Sequence, residues 1–221
     1  LAKQLSIAGY ELHLAGRNAE KLKDISSQLS CNYTVGDVLD DSFFDQVSQE
    51  AGDRINGIVY AVGTINLKSL NRLTTDDFLN DYKINVIGAV QSVRAALNSL
   101  KTNKGSVVLF SSVASNIGFS MHASIGAAKA AINGLAISLA AELAPYVRVN
   151  AIAPSLTDTP LASRVLANDN VKESIGKMHP LKRLGTPEDL AGLAKYLLSE
   201  EASWITGQVF GLDGGRSTIA S

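Results

Sequence analysis

The stretch Ser106-Val-Val-Leu-Phe110 decides the fold class, because its last four residues are apolar without any alternation. A strand with one face in water alternates polar and apolar residues, so a continuous apolar run predicts a strand that is buried on both faces. Five further runs on either side of it have a similar character and are predicted as strands: Glu11–Ala15, Asn32–Val35, Gly57–Val62, Val147–Ile152 and Gln208–Leu212.

Segments with helical spacing separate these strands. The predicted helices are Ala19–Leu29, Asp41–Glu50, Thr75–Leu100, Ser120–Leu143 and Pro187–Leu198. Parallel strands need crossover connections of about a dozen residues, and helices of this length supply them. The sequence therefore predicts an α/β fold, a Rossmann-type doubly wound parallel sheet, in a single domain that covers residues 1–221.

The composition excludes several classes of function. With 20 Lys+Arg against 21 Asp+Glu, the formal net charge of -1 gives no basic field for nucleic acid or an anionic membrane. Cys31 is the single cysteine of the sequence, so we expect neither a disulfide nor a metal site. The apolar stretch Ala123–Ala144 is interrupted by Lys129 and Glu142, which disfavours a membrane span. We expect a cytoplasmic protein without nucleic-acid or membrane partners.

Ligands of such folds bind at the carboxyl ends of the strands, where this sequence carries a series of short motifs. In chain order they are Gly36-Asp37-Val38, Asn85 within Lys-Ile-Asn-Val, Ser111-Ser112, Lys129 within Ala-Ala-Lys-Ala-Ala, Arg148–Pro154 and Leu212-Asp-Gly-Gly215. In this order they resemble the short-chain dehydrogenase/reductase family, with 3-oxoacyl reductase-like members nearest in pattern. The resemblance covers nearly the whole chain.

The resemblance implies a catalytic set of Asn, Ser, Tyr and Lys. Asn85, Ser112 and Lys129 match it, but Ile125 occupies the position of the tyrosine, four residues before the lysine. In similar enzymes that tyrosine transfers a proton as hydride moves, and isoleucine has no exchangeable proton. The usual mechanism is therefore incomplete in this chain.

Another side chain could supply the proton. His122 stands three residues before Ile125 and seven before Lys129, a spacing that predicts one shared helical face. The catalytic interpretation of His122 competes with one in which it only decorates the start of the helix. Tyr60, at the end of a predicted strand, is a weaker candidate that is better explained as a packed aromatic residue.

The resemblance also implies a dinucleotide site. Arg17 stands where NAD-preferring members carry an acidic residue, which favours NADP(H) over NAD(H), although a solvated turn arginine is the alternative. The remaining cofactor-binding residues implied by the resemblance are Asp37, Val38, Ala61, Gly63, Lys129, Pro154, Thr157 and Thr159. Residues Leu161–His179 resemble the mobile substrate lid of the family.

One family feature has no counterpart in the sequence. Similar proteins open with a strand and a TGxxxGIG loop that cradles the cofactor pyrophosphate, whereas Leu1-Ala-Lys-Gln-Leu5 resembles the helix that follows that loop. A sheet without its central strand would leave unpaired backbone on both neighbours. We therefore expect a longer protein in which this strand is present.

Two functions remain open at this point. The first is hydride transfer between NADP(H) and a small carbonyl or alcohol substrate, and the second is a non-catalytic nucleotide-binding or scaffold role on the same fold. The two longest predicted helices correspond to the pair through which similar proteins assemble, so we expect a homodimer or homotetramer. Small residues that would permit close helix approach are Ala127, Ala131, Gly134 and Ala140.

Overall fold

The computed structural model describes residues 1–219, so residues 220 and 221 of the predicted domain lie outside the described residues. The six strands are β1 (His13–Gly16), β2 (Asn32–Val35), β3 (Gly57–Tyr60), β4 (Ser106–Phe110), β5 (Arg148–Pro154) and β6 (Val209–Leu212). The α-helices are α1 (Ala2–Ile7), α2 (Ala19–Leu29), α3 (Phe43–Ala51), α4 (Thr75–Tyr82), α5 (Gly88–Ala95), α6 (Leu97–Thr102), α7 (Ala123–Leu143), α8 (Asp169–Lys177) and α9 (Pro187–Leu198).

All strand pairs are parallel. Strands β3, β4, β5 and β6 form one sheet in that order, and β1 pairs with β2. Along β4, Val107 and Leu109 pack into the larger core cluster and Val108 packs into a second cluster with Leu197 of α9. Because successive side chains of a strand point to opposite faces, helices cover both faces of the sheet. The predicted Rossmann-type parallel architecture is confirmed.

A groove separates the two groups of strands. The edges of β1 and β3 that are free of β2 and β4 carry no strand partner among residues 1–219. Both strands line one cavity of about 840 Å³ that extends from Asn56 to Gly63 along the β3 side. The further central strand expected from the sequence stays a prediction.

The helix predicted over Thr75–Leu100 is confirmed from Thr75 to Ala95, but it contains a π-helical turn and is interrupted at Ala96. The segment divides into α4, a π-helix at Lys83–Ile87, α5 and α6. The Asn85 side chain donates to the Asp81 carbonyl at 2.8 Å within the π-helical turn, and Ala96 leaves helical geometry between α5 and α6. Local hydrogen bonds of this kind are invisible to apolar spacing.

Other boundaries shift by smaller amounts. The helix predicted to begin at Ser120 begins at Ala123, because Met121 has a φ of +66°, outside the helical region. The segment Leu161–His179, which resembles the lid of the family, contains α8, and Asn168 caps this helix through the Val171 amide at 3.0 Å. By length and apolar composition α7 could cross a membrane, but Ile132, Ala136 and other residues of its buried face pack into the core.

The contact between Gly88 and Tyr60 generates a test of the packing. A Cβ on Gly88 would stand 2.1 Å from the Tyr60 Oη, which donates to the Ile84 carbonyl at 2.5 Å. We expect Gly88→Ala to lower the free energy of unfolding by about 1–3 kcal/mol, because the added methyl group would overlap the Tyr60 hydroxyl and force the ring or the helix to shift. Gly192→Ala in α9, where a Cβ meets nothing within 4 Å, should raise it by about 0.5–1 kcal/mol. Urea unfolding of both variants measures this, and equal changes of the same sign would contradict it.

Candidate functional site

The site lies at the edge of the sheet where the parallel strands end. The loops after β1, β2 and β3 contribute Arg17, Asp37 and Gly63, and all three residues line the cavity described above. Ser112 follows β4, and the Ser111 amide bonds the Ile152 carbonyl of β5 at 2.8 Å. The strand order therefore brings together loops that are far apart in the sequence.

The outer part of the site is formed by the loops after β1 and β2. Arg17 Nη1 lies 3.5 Å from Asp37 Oδ2, and both side chains are exposed. Asp37 Oδ1 accepts the Leu39 amide N–H at 3.0 Å, which fixes the turn after β2. Val38 packs into the core and also lines the cavity. The guanidinium of Arg17 remains available to a ligand, because an exposed ion pair of this length is weak.

The inner part of the site is built around Gly63. A Cβ there would stand 2.9 Å from Asn85 Oδ1 and 3.2 Å from Lys129 Nζ. Those two polar atoms therefore converge on the same point at the end of β3, and a side chain at position 63 would displace one of them. Ala61, two residues earlier, is exposed.

Asn85 is buried in the π-helical turn. Its Nδ2 donates to the Asp81 carbonyl and to Thr64 Oγ1, at 2.8 and 3.0 Å. Its Oδ1 is buried and has no hydrogen-bond partner among the described residues. A buried unsatisfied acceptor is costly, and such groups mark sites that a ligand or water completes.

Lys129 is a buried cation in an apolar helix. Its Nζ donates to the Phe110 carbonyl at 2.9 Å, and the residue is only 9% exposed. Burial lowers the pKa of Lys129 from its ordinary value of 10.5 to about 8, and the negative charge of Asp81 opposes that shift. An ammonium has three N–H donors, so this one keeps donors for a ligand.

Ser112 and Ile125 stand at the positions that the family resemblance assigns to the catalytic serine and tyrosine. Ser112 Oγ accepts the Ala114 amide at 3.1 Å, which leaves its hydroxyl hydrogen free for another acceptor. The neighbouring Ser111 hydroxyl donates to the Lys129 carbonyl at 2.9 Å and ties this loop to α7. Ile125 is 5% exposed and offers no polar atom.

His122 lies outside the helix in which it was predicted. It is the N-cap residue of α7 and its carbonyl accepts the Gly126 amide at 2.7 Å, whereas Ile125 and Lys129 are buried within the helix. His122 Nδ1 lies 2.7 Å from the Ser120 carbonyl, and its ring lies against Phe119 with centroids 5.4 Å apart. A carbonyl only accepts, so Nδ1 carries a hydrogen and Nε2 remains for a proton transfer.

Tyr60 is not placed to replace the missing tyrosine. It is 4% exposed, it packs beside Phe44, and its hydroxyl is bound to the Ile84 carbonyl. Burial raises the pKa of Tyr60, which opposes loss of its proton. The interpretation as a packed aromatic residue is confirmed.

The residues after β5 hold one another. Thr157 Oγ1 donates to the Ser155 carbonyl at 3.1 Å, and the Thr159 hydroxyl caps the short turn Pro160–Ala162 at 3.3 Å. Pro154 ends β5 opposite Leu212. These contacts fix the loop, and a cofactor role of Pro154, Thr157 and Thr159 stays a prediction.

Sequence reasoning missed two polar features near this edge. One is Asp81, which is 1% exposed and stands four residues before Asn85, a spacing that was the available signal. The other is the contact of Ser155 Oγ with His179 Nε2 at 2.8 Å, for which a separation of 24 residues gives no sequence signal.

The buried ammonium makes the stability depend on pH. Because the pKa of Lys129 is lower in the folded chain, the unfolded chain binds more protons between pH values of about 8 and 10.5, and stability rises across that window. We expect Lys129→Met to abolish about 2 kcal/mol of the gain in unfolding free energy between about pH 7 and about pH 9.5. Urea unfolding at both pH values measures it. The exposed Lys195→Met is the control, and an equal loss in that variant would refute the assignment.

Comparisons with known proteins agree with this geometry. Residues 1–217 match the family described as enoyl-(acyl carrier protein) reductase. A 3-oxoacyl-[acyl-carrier-protein] reductase, MabA, of Mycobacterium tuberculosis is 30% identical over 97% of this chain and 86% of its own. An uncharacterized oxidoreductase of the same species is 36% identical over 81% of this chain and 74% of its own.

Solved structures show the same fold. A short-chain type dehydrogenase/reductase from Mycobacterium ulcerans superposes with a TM-score of 0.89 at 28% identity, covering 98% of this chain and 84% of that one. The structure of ElxO with NADP bound gives a TM-score of 0.89 at 26% identity, covering 99% and 93%. The chain belongs to the short-chain dehydrogenase/reductase family of oxidoreductases, which act on CH–OH and C=O groups.

Proposed function

We propose that this protein transfers hydride between NADP(H) and a small carbonyl or alcohol substrate. The observation that carries the proposal is the convergence of the unpaired Asn85 Oδ1 and the buried Lys129 Nζ on Gly63. An orphaned acceptor, a buried cation and a position without room for a Cβ fit the close approach of a hydroxyl-rich ligand. The bound nicotinamide supplies or accepts the hydride.

The chain's own residues would hold the dinucleotide along the sheet edge. Arg17 would bind the 2′-phosphate, Asp37 and Val38 would bracket the adenine, and Ala61 with Gly63 would let a ribose approach the backbone. Lys129 would donate to the nicotinamide ribose. The nicotinamide side would be lined by Pro154, Thr157 and Thr159.

Selectivity for NADP(H) rests on Arg17. The side chain is 74% exposed and makes one contact with Asp37 at 3.5 Å, so its guanidinium can turn to a phosphate at little cost. The ElxO relative, at 26% identity, is described with NADP bound. Both observations support a preference for NADP(H) over NAD(H).

The proton must come from a group other than residue 125. Ser112 has a free hydroxyl hydrogen to donate to the substrate oxygen, and we assign the proton supply to the imidazolium form of His122, whose Nε2–H would give its proton to that oxygen and leave the neutral ring with its hydrogen on Nδ1. An imidazole can both donate and accept a proton, as general acid–base catalysis requires. Lys129 would hold the cofactor ribose during the transfer.

The groove between β1 and β3 would hold one further parallel strand. Their facing edges present unpaired backbone groups, which such a strand would satisfy on both sides. The glycine-rich phosphate loop of the family would follow that strand at the same sheet edge as Arg17 and Gly63.

The oligomer would form through α4, α5 and α7. On α7 Ala127 and Gly134 are exposed and Ala131 is half-buried, whereas Ala140 is buried in the core and is not part of this surface. The exposed Ile137 adds apolar area to the same helix. We propose a homodimer or homotetramer that works in the cytoplasm on small molecules.

A non-catalytic nucleotide-binding or scaffold role is the second candidate. The buried Ile125 favours it, because the position of the proton-transferring tyrosine carries no polar atom. Cofactor binding without any turnover would identify this role.

The cofactor preference is tested with Arg17→Ala. We expect the affinity for NADPH to fall about tenfold and that for NADH to stay unchanged, since only a 2′-phosphate would lose its charged partner. Cofactor fluorescence in titrations of the full-length protein measures both. Arg54→Ala is the control, because it removes a similar exposed ion pair, with Glu11, at the amino ends of the strands. Equal losses for the two cofactors would refute the Arg17 assignment.

The proton supply is tested with His122→Ala. We expect NADPH-dependent reduction in a panel of ketones to be lost while NADPH binding persists, because Nε2 is the proposed acid. Introducing Ile125→Tyr into that variant should restore reduction by the pathway usual in the family. Full activity of His122→Ala would eliminate His122 as the proton source.

A further inference from the structure

Asp81 is a buried carboxylate for which the proposed reaction has no role. It lies in the last turn of α4 and is 1% exposed. Thr64 Oγ1 donates to its Oδ1 at 2.6 Å, and Ser124 Oγ and Asn66 Nδ2 donate to its Oδ2 at 2.5 and 3.3 Å. These donors come from the loop after β3 and from the first turn of α7, so the carboxylate stands between the two segments that carry Gly63 and Lys129.

The surroundings of Lys129 contain one acidic group that acts on it. Its Nζ bonds the Phe110 carbonyl, and the Asn85 Oδ1 approaches the same point above Gly63. Asp81 is linked to that point by geometry, because Thr64 Oγ1, which donates to Asp81 Oδ1 at 2.6 Å, also accepts from Asn85 Nδ2 at 3.0 Å. The negative charge of Asp81 favours the ammonium form of Lys129. Asp77, one turn earlier on α4, is instead paired with Lys68 at 2.6 Å.

The energetic balance at Lys129 explains why such a charge is needed. Taking an ammonium out of water disfavours its charged form, and one carbonyl acceptor compensates only part of that cost. A carboxylate in the same poorly solvated region acts strongly, because the field between charges is weakly screened there. The three hydrogen bonds to Asp81 hold that carboxylate in place.

We propose that Asp81 is a positioning residue that keeps Lys129 in its ammonium form within the cofactor site. The inference rests on the proposed function, because it assigns the ammonium to the cofactor ribose. Asp81 touches neither cofactor nor substrate and acts only through Lys129. The bond from Asn85 Nδ2 goes to the backbone carbonyl of residue 81 and does not depend on the carboxylate.

A purely structural role for Asp81 makes a different prediction. If the carboxylate only ties the loop after β3 to α4 and α7, its removal lowers stability without changing the titration of Lys129. Ser124→Ala removes one of these hydrogen bonds and keeps the charge, so it separates the two effects. Asp77→Asn removes a carboxylate from the same helix and controls for a change in net charge.

The first experiment follows the Lys129 side-chain Cε and Nζ resonances by NMR across pH, without cofactor. In the wild-type protein we expect a midpoint near the value of about 8 given by burial and Asp81 together. In Asp81→Asn the midpoint should fall by about one pH unit, while Ser124→Ala and Asp77→Asn keep the wild-type value. An unchanged midpoint in Asp81→Asn overturns the proposal.

The second experiment titrates the full-length protein with NADPH across pH. A midpoint lower by about one unit leaves the two proteins with similar affinities near pH 6 and makes Asp81→Asn about fivefold weaker near pH 8. An affinity deficit that is the same at every pH would show a structural role and overturn the proposal.

The two experiments separate the two possible failures. If wild-type protein does not bind NADPH, the proposed function fails, while the NMR midpoints still decide whether Asp81 controls Lys129. The hydroxyls of Ser124 and Thr64 can rotate to accept from an amide, so Asp81→Asn should fold. If it does not fold, Asp81→Ser provides a second neutral residue, and the same shift in midpoint is required of it.

Discussion

The parallel pairing of β4 with both β3 and β5 is the constraint on which the molecule depends. Val107, Val108 and Leu109 are fully buried, so β4 can lie only between two strands and beneath helices on both faces. That arrangement fixes the direction of its neighbours and therefore the edge at which their loops meet. The same burial gives Lys129 an apolar environment, because its helix packs against this part of the sheet.

The site at that end of the sheet is made of polar groups that the fold keeps buried, although each would be more stable in water. An acceptor without a partner at Asn85, an ammonium with one acceptor at Lys129 and a carboxylate at Asp81 are each costly when buried. The negative charge of Asp81 offsets part of the cost of burying the Lys129 ammonium, and the Asn85 oxygen stays without a partner among the described residues. A ligand with hydroxyl groups would supply the missing hydrogen bonds to these groups. The same burial that lowers the stability of the free protein would therefore favour binding of the ligand.

The sequence predicted the parallel α/β architecture and the approximate position of every strand, because continuous apolar runs between helices allow few alternatives. The family motifs also indicated Asn85 and Lys129, which the structure brings together at Gly63. The π-helical turn after Tyr82 and the position of His122 before α7 were not predictable. The first accompanies the hydrogen bond from the Asn85 side chain to the Asp81 carbonyl, and the second follows from the positive φ of Met121. The spacing of apolar residues does not report either feature. Whether Ser112 and His122 act in catalysis stays a prediction.

The π-helical turn at Lys83–Ile87 makes the geometry of the site depend on the number of residues in one helical turn. A π turn contains about one residue more than an α turn, and one residue corresponds to a rotation of about 100° around a helix. A regular α-helix through this segment would therefore turn Asn85 away from Gly63 while keeping every side chain in the sequence. The position of the Asn85 amide therefore depends on the number of residues in this turn as well as on their identity. A one-residue deletion here would change the geometry of the site, even though it removes no functional group.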